Sequence, residues 1–473
     1  MKRKLIFIPF FLLLSSCMIC LTFSAQVDIK ATDSHLARNL DTHLNYTTIQ
    51  AAINANETKD GHTIVVDGNY TYYEHVIVNK SISLFGQEDY TAIIDGNGTG
   101  PAATITKDNV NITELTIQNS SGNSYAGIYL KNASHCSITG NTILSSYYGI
   151  LLNGSSHNSI LGNTVAANMW DGIRLQGSSC NNTISGNNFT GNYLGISLRA
   201  DSCNNTVLGN SVTYNYYGIH LYASLNNTVS ENFVTRNHEY GVSLYDCLNN
   251  AIFENNVTVN SWDGIRLHSS SGNNISRNSI TANYEFGIRF EVFSCNNTIS
   301  ENNIVNNWDG IDLFDSSNNT ISGNNITASF DDGIYFSKSH YNNVTGNNVT
   351  GNDFGIHIDN SLGNLIYRNN FIDNPDQVVI YNSANSWNGS YSCGGNYWSD
   401  YTDVDKNKGT DQDEPGSDGI WDHPYVIDEN NVDYYPTIPE FSFPLILFTF
   451  MTATLLAAIA YKRKQTMQER LSV

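Results

Sequence analysis

Residues Gly172–Leu194 read GIRLQGSSCNNTISGNNFTGNYL, and Gly195–Tyr217 read GISLRADSCNNTVLGNSVTYNYY. The second stretch repeats the first nearly position by position. The leading glycine, followed by Ile or Val, recurs at Gly127, Gly149, Gly172, Gly195, Gly218, Gly241, Gly264, Gly287, Gly310, Gly333 and Gly355, always 22 or 23 residues apart. Such a period marks stacked units, each of which buries its apolar face only against its neighbours. Within a unit, Ile173 and Leu175 stand two apart, which is the strand period with one buried face. Ile184 marks a second short segment and Phe189 a third, and both are matched in the next unit by Val207 and Val212. Three short strands in about 23 residues leave room only for tight bends. The expectation is all-β: a single-stranded right-handed parallel β-helix, with an N-terminal capping helix and a C-terminal transmembrane or sorting helix. A leucine-rich repeat has an overlapping period of roughly 20–29 residues, but the return segments here are Asn, Ser, Thr and Gly, which favour turns over helix interiors.

Two asparagine columns run through the repeat. One passes Asn187, Asn210, Asn232, Asn255 and Asn278, the other Asn182, Asn205, Asn227, Asn250 and Asn273. Asn tolerates the left-handed backbone of a tight bend. Amides stacked at the inter-strand spacing of about 4.8 Å also hydrogen-bond along the column. Both properties give the columns a structural role.

The repeats resemble those of the NosD-type family and its pectate-lyase-like relatives, a group of carbohydrate-binding proteins and sugar hydrolases. The likeness runs from about Tyr46 to Pro436. Tyr46-Thr47-Thr48-Ile49-Gln50-Ala51-Ala52-Ile53 resembles the family's capping helix, and Thr63-Ile64-Val65-Val66-Asp67-Gly68-Asn69-Tyr70 its first rung. Gly395-Asn396-Tyr397-Trp398-Ser399-Asp400-Tyr401 resembles a segment that follows the last rung. The resemblance implies fold far more than activity, because one scaffold hosts many functions. The NosD likeness also implies metal (copper) handling as one reading.

Residues 1–25 read as a signal peptide, with Lys2-Arg3-Lys4 ahead of an apolar run. Residues 26–125 form an N-terminal cap with irregular first rungs, 126–392 eleven regular rungs, and 393–438 an Asp- and aromatic-rich cap. Residues 439–473 form a sorting signal or transmembrane anchor, since Phe443 to Tyr461 is apolar and Lys462-Arg463-Lys464 follows. Pro439-Glu440-Phe441 with this tail resembles archaeal PEF-type sorting signals. Either ending places the body outside the cell, held at the surface through the tail. The chain carries 23 basic against 44 acidic residues, a net charge of −21. Seven of the basic residues lie in the two tails, so the body is more acidic still and would repel nucleic acid. Cations and neutral sugars fit it better as partners.

Cys180 and Cys203 occupy the same place in adjacent rungs, which leaves a disulfide and two buried thiols both open. Asn-x-Ser/Thr sequons abound, and those in packed ladders should be spared glycosylation.

The groove expected to bind a polysaccharide or cell-envelope glycan lies beside the glycine column. Two residues before each glycine stand Tyr147, Trp170, Tyr193, Tyr216, Trp262 and Trp308, whose ring faces suit sugars. If the strand extends that far, the glycines form a bare floor. The aspartates directly before the glycines contradict strict alternation, so a bend must lie there. Asp309 and Asp332 stand one rung apart and Asp263 two rungs from Asp309, separations that glycosidases use. With Arg266, Arg289 and Asp312 they form the candidate acid–base patch. The motifs Gly-His-Gly of polygalacturonases, Asp-Pro-His of alginate epimerases and Arg-x-x-Pro-x-x-Arg of pectate lyases are missing. In the C-terminal cap, Asp403, Asp405, Asn407, Asp411 and Asp413 alternate like oxygen ligands and make calcium the candidate cofactor. The leading expectation is a secreted, surface-anchored β-helix that binds carbohydrate or serves as an envelope element. The alternative is a polysaccharide lyase, hydrolase or epimerase.

Overall fold

The computed structural model describes residues 36–438 apart from 88–90 and 123–124. The expected signal peptide and the apolar tail lie outside the described residues. Among the described residues no helix is long and apolar enough to cross a membrane.

Each rung contributes one strand to each of three long sheets of 16, 15 and 14 strands. In the rung that begins at Asp171 the strands are Asp171–Gln176, Thr183–Ser185 and Asn188–Thr190. Each pairs in parallel with its counterpart one rung on: Ile173 with Ile196, Ile184 with Val207, Phe189 with Val212. These residues are fully buried and form one continuous core along the axis. The 14-stranded sheet, which carries the Gly-Ile-x-Leu segments, is called the glycine sheet below.

Both ends of the solenoid are closed. At the N-terminal end the helix Ile49–Asn54 buries Ile49, Ala52 and Ile53, with Thr48 accepting from the Ala51 N–H as its N-cap. At the C-terminal end Trp398 stacks between Phe371 at 4.7 Å and Tyr425 at 4.6 Å. Asp433 receives the Asn396 N–H at 2.7 Å and the Trp398 indole N–H at 3.0 Å, and its burial pushes its carboxyl up to about 7. Terminal units with such covers are what a solenoid requires.

Both asparagine columns are internal ladders. Asn255 is representative: its Oδ1 accepts from the backbone N–H and the amide of Asn232, at 3.0 and 2.9 Å. Its Nδ2 donates to Asn278 Oδ1 and to the carbonyls of Val229 and Phe253. The amide is 1% exposed yet fully satisfied. A third ladder, which sequence reading missed, runs through Asn168, Asn192, Asn215, Asn237, Asn260, Asn283 and Asn307. One expectation is corrected. The left-handed turn belongs to the residue before the ladder asparagine, such as Glu231, Glu254 or Asn181, with φ of 55°, 56° and 58°. The ladder residue is asparagine for its amide.

Asn255→Ala should cost more than about 3 kcal/mol, because several buried polar groups lose their partner together. Asn256→Ala, one residue on and exposed, should stay within about 0.5 kcal/mol. Urea unfolding of the two variants measures the contrast.

Candidate functional site

The outer surface of the glycine sheet is decided by a bulge at every glycine. An ideal Cβ on Gly264 would sit 2.6 Å from Ile280 Cγ2, 2.7 Å from the Gly287 carbonyl oxygen and 2.8 Å from Asn283 Nδ2. The glycine therefore faces inward, as does the isoleucine after it. The paired register skips the glycine, matching Asp171 with Leu194 and then Ile173 with Ile196. An extra inward residue reverses the alternation, so the residue before the glycine points out. The expected bend is present, but the glycines are no bare floor: they lie under the surface. That surface is made by the residue before each glycine and by the x of Gly-Ile-x-Leu.

These two columns interlock. Arg174 donates to the Tyr148 hydroxyl at 2.6 Å, Arg266 lies 4.7 Å over the Tyr240 ring, and Arg289 lies 4.5 Å over Phe286. Such cation–π packing covers the neighbouring carboxylates. Asp171 and Asp263 are 0% exposed, and Asp309, Asp312 and Asp332 nearly so. Burial is the main cause that pushes Asp171, Asp263 and Asp309 up to about 7 and raises Asp312 and Asp332. The nearby arginines offset part of the shift at Asp171, Asp263 and Asp312. Burial similarly lowers His220 to about 3.

The candidate acid–base residues fall into two groups. Arg266 bonds Glu291 at 2.8 and 2.5 Å, while Arg289 lies 2.9 Å from Glu291 and 3.7 Å from Asp312. Glu291 bridges the two arginines. Burial raises its carboxyl and the arginines more than reverse this, leaving it below the usual range. Sequence reading missed it, although it stands on the same outward face two residues after Arg289. In the second group, Asp309 Oδ1 accepts the Asp332 N–H at 3.0 Å, and Asp332 Oδ2 lies 3.3 Å from His357 Nδ1. That contact raises the His357 pKa. One oxygen from each of Asp309, Asp331 and Asp332 lies within 4.8 Å of the others.

The six aromatic candidates also divide. Tyr147, Trp170, Tyr193 and Tyr216 stack face to face along the corner, with centroids 6.1, 4.6 and 4.9 Å apart. Their faces are spent on one another. Trp262 and Trp308 are 39% and 51% exposed and stand outside that stack. Tyr284 and Phe330, on the same corner in neighbouring rungs, are exposed as well. They were missed because some rungs place three residues between the ladder asparagine and the glycine and others two. Asn283-Tyr284-Glu285-Phe286-Gly287 and Asn307-Trp308-Asp309-Gly310 show the difference.

In the cap, Asp405 accepts from Asp418 N–H, Gly419 N–H and the Ser417 hydroxyl, and Asp403 from the backbone and ring of His423. Asn407 donates to Asp422, while Asp411 and Asp413 are exposed. Cys180 and Cys203 form a disulfide.

A family model described as "Right handed beta helix region" matches residues 45–212 and 101–258, and one described as "Periplasmic copper-binding protein (NosD)" matches residues 292–403. The A-module of the mannuronan C-5 epimerase AlgE4 from Azotobacter vinelandii superposes with a TM-score of 0.52 at 16% identity, over 59% of this chain and 91% of that one. The catalytic domain of a GH87 alpha-1,3-glucanase gives 0.45 at 12% identity, over 72% and 66%. A cell surface glycoprotein of Methanothermus fervidus is 39% identical over 108 residues, which are 22% of this chain and 17% of that protein. The chain is a right-handed β-helix protein.

The residues do not fit copper. Copper sites draw on Cys, Met and His. Within 292–403 there is no methionine, and the thiols and imidazoles are dispersed: Cys295 Sγ accepts the Ser317 N–H, Cys393 is a free thiol in the cap, His357 is held by Asp332, and His340 Nδ1 accepts the Leu362 N–H. Among the described residues the converging group is the all-aspartate trio.

The buried aspartates set a pH dependence. Their folded pKa lies above the unfolded value of about 3.9, so between roughly pH 4 and 7 the native state binds more protons and loses stability as pH rises. Asp263→Asn should therefore melt higher than wild type at pH 8 and gain less at pH 5. Thermal melts of both proteins across that range, at fixed ionic strength, check the difference.

Proposed function

We propose that this protein works at the outer cell surface as a glycan-binding β-helix, with the glycine sheet's outer surface and its aromatic corner as the contact face. The observation that carries this is the row Trp262, Tyr284, Trp308 and Phe330, exposed in successive rungs beside the carboxylate–arginine network. Exposed rings at rung spacing offer successive sugar units an apolar face, and fixed polar groups beside them bond hydroxyls. The likeness of one segment to a surface glycoprotein supports the location.

A second reading, acid–base catalysis on a polysaccharide, is favoured by one feature. Asp309, whose carboxyl burial pushes up to about 7, keeps a protonated fraction near neutral pH next to the Asp332–His357 pair. A proton donor beside a carboxylate within about 5 Å is the arrangement of retaining glycosidases. In this reading Asp309 donates the proton and Asp332, oriented by His357, receives charge.

Retention on immobilised polysaccharides separates the two. Trp262→Ala and Trp308→Ala should each weaken retention about 2- to 10-fold, and Tyr193→Ala should leave it unchanged. The Asp309→Asn/Asp332→Asn protein should be retained like wild type, and neither should release reducing ends or unsaturated sugars. Turnover by wild type that disappears in the double variant would establish the catalytic reading instead.

A further inference from the structure

The fold sorts the sequons that the repeat generates. In Asn181-Asn182-Thr183, and at the equivalent triplets beginning at Asn204, Asn226, Asn296 and Asn318, the second asparagine is a buried ladder residue with both ends of its amide bonded. The first is exposed, sits at the left-handed turn with φ between 52° and 58°, and starts the sequon. Asn204 alone among the five reaches a neighbour with its amide, the Cys203 sulfur at 3.7 Å. One residue thus separates a structural amide from a free one. Two strand sequons differ: Asn325 and Asn348 tie their amides into an outward ladder, at 2.8 and 3.0 Å.

The glycine sheet is the opposite case. Its strands from Asp171–Gln176 to Phe354–Asp359 contain no asparagine at all. The five exposed amides stand on the bend that leads out of this sheet, and the exposed aromatics stand on the bend that leads into it.

We propose that Asn181, Asn204, Asn226, Asn296 and Asn318 are N-glycosylation sites, so that covalent sugar lines one edge of the solenoid and the glycine sheet from Asp171 to Asp359 stays bare. The donor class is an oligosaccharide held on a phosphate-bearing carrier. A C–N bond forms between asparagine Nδ2 and the anomeric carbon as the anomeric C–O bond to phosphate breaks. The phosphate leaves with the electron pair, and the amide proton passes to base. An exposed amide outside the asparagine ladders meets this requirement once the rung has closed. The inference rests on the sequons and their exposure, independently of what the glycine sheet binds.

Glycopeptide mass spectrometry of the full protein purified from its own host tests it. Peptides covering 181–228 and 296–320 should carry glycan at the five asparagines, with occupancy several-fold above that at Asn325 and Asn348. Thr183→Ala and Thr298→Ala, which keep every asparagine, should each remove one glycan mass. Bare peptides at all five positions would overturn the proposal, and so would equal occupancy at Asn325 and Asn348. Polysaccharide retention by the glycine sheet is measured separately, so failure of either reading leaves the other standing.

Discussion

A solenoid with 23-residue rungs bends three times per turn, and at each bend the backbone leaves the sheet ladders with its N–H and C=O groups facing the core. Water cannot reach them. The internal asparagine ladders answer this constraint, because one carboxamide supplies an acceptor to the rung before, a donor to the rung after, and further bonds to carbonyls at the bend. A buried polar group without a partner costs of order 1–3 kcal/mol, so each interior asparagine is held by several such penalties at once. The serine column does similar work at the longest bend, where the hydroxyls of Ser179, Ser294 and Ser339 accept backbone N–H groups of the preceding rung. The fold's regularity follows from these repeated polar contacts as much as from its apolar core.

The glycine bulge is the second constraint, and it links core to surface. Turning both the glycine and the isoleucine inward narrows the rung until a Cβ would overlap the neighbouring core, and it forces the preceding residue out. In several rungs that residue is an aspartate with almost no water around it, set beside arginines at Asp171 and Asp263. Such groups raise their pKa values and oppose folding near neutral pH. Stability does not explain their presence. Natural sequences tend to carry strained or costly groups where function is located.

Face-to-face stacking gives the aromatic corner two characters. From Tyr147 to Tyr216 the rings complete one another, and the row ends with Tyr216 donating to Glu239 and stacking on His238. From Trp262, which meets Tyr240 only edge-on, the rings are exposed and lie beside the charge network. The half of the solenoid with the exposed rings is therefore the half that holds Asp309, Asp332 and His357.

The period of 22 or 23 residues was enough by itself to determine the rungs, their three strands and two of the three ladders. In a solenoid, residues one period apart are neighbours in space, so a column in sequence is a column in the structure. The Asp309–Asp332 proximity followed from the same rule. Tertiary structure alone decided what alternation and counting cannot express. The inward turn of Gly264 is set by Ile280 and Asn283, which lie in a later strand and bend. The third ladder and the exposed Tyr284 and Phe330 are hidden by rungs that differ by one residue at one corner. Glu291 gains its role from Arg266, 25 residues away, because strands a rung apart bring the two side chains onto one face. A repeat specifies which residues stack; the contacts across the rung decide which way each of them points.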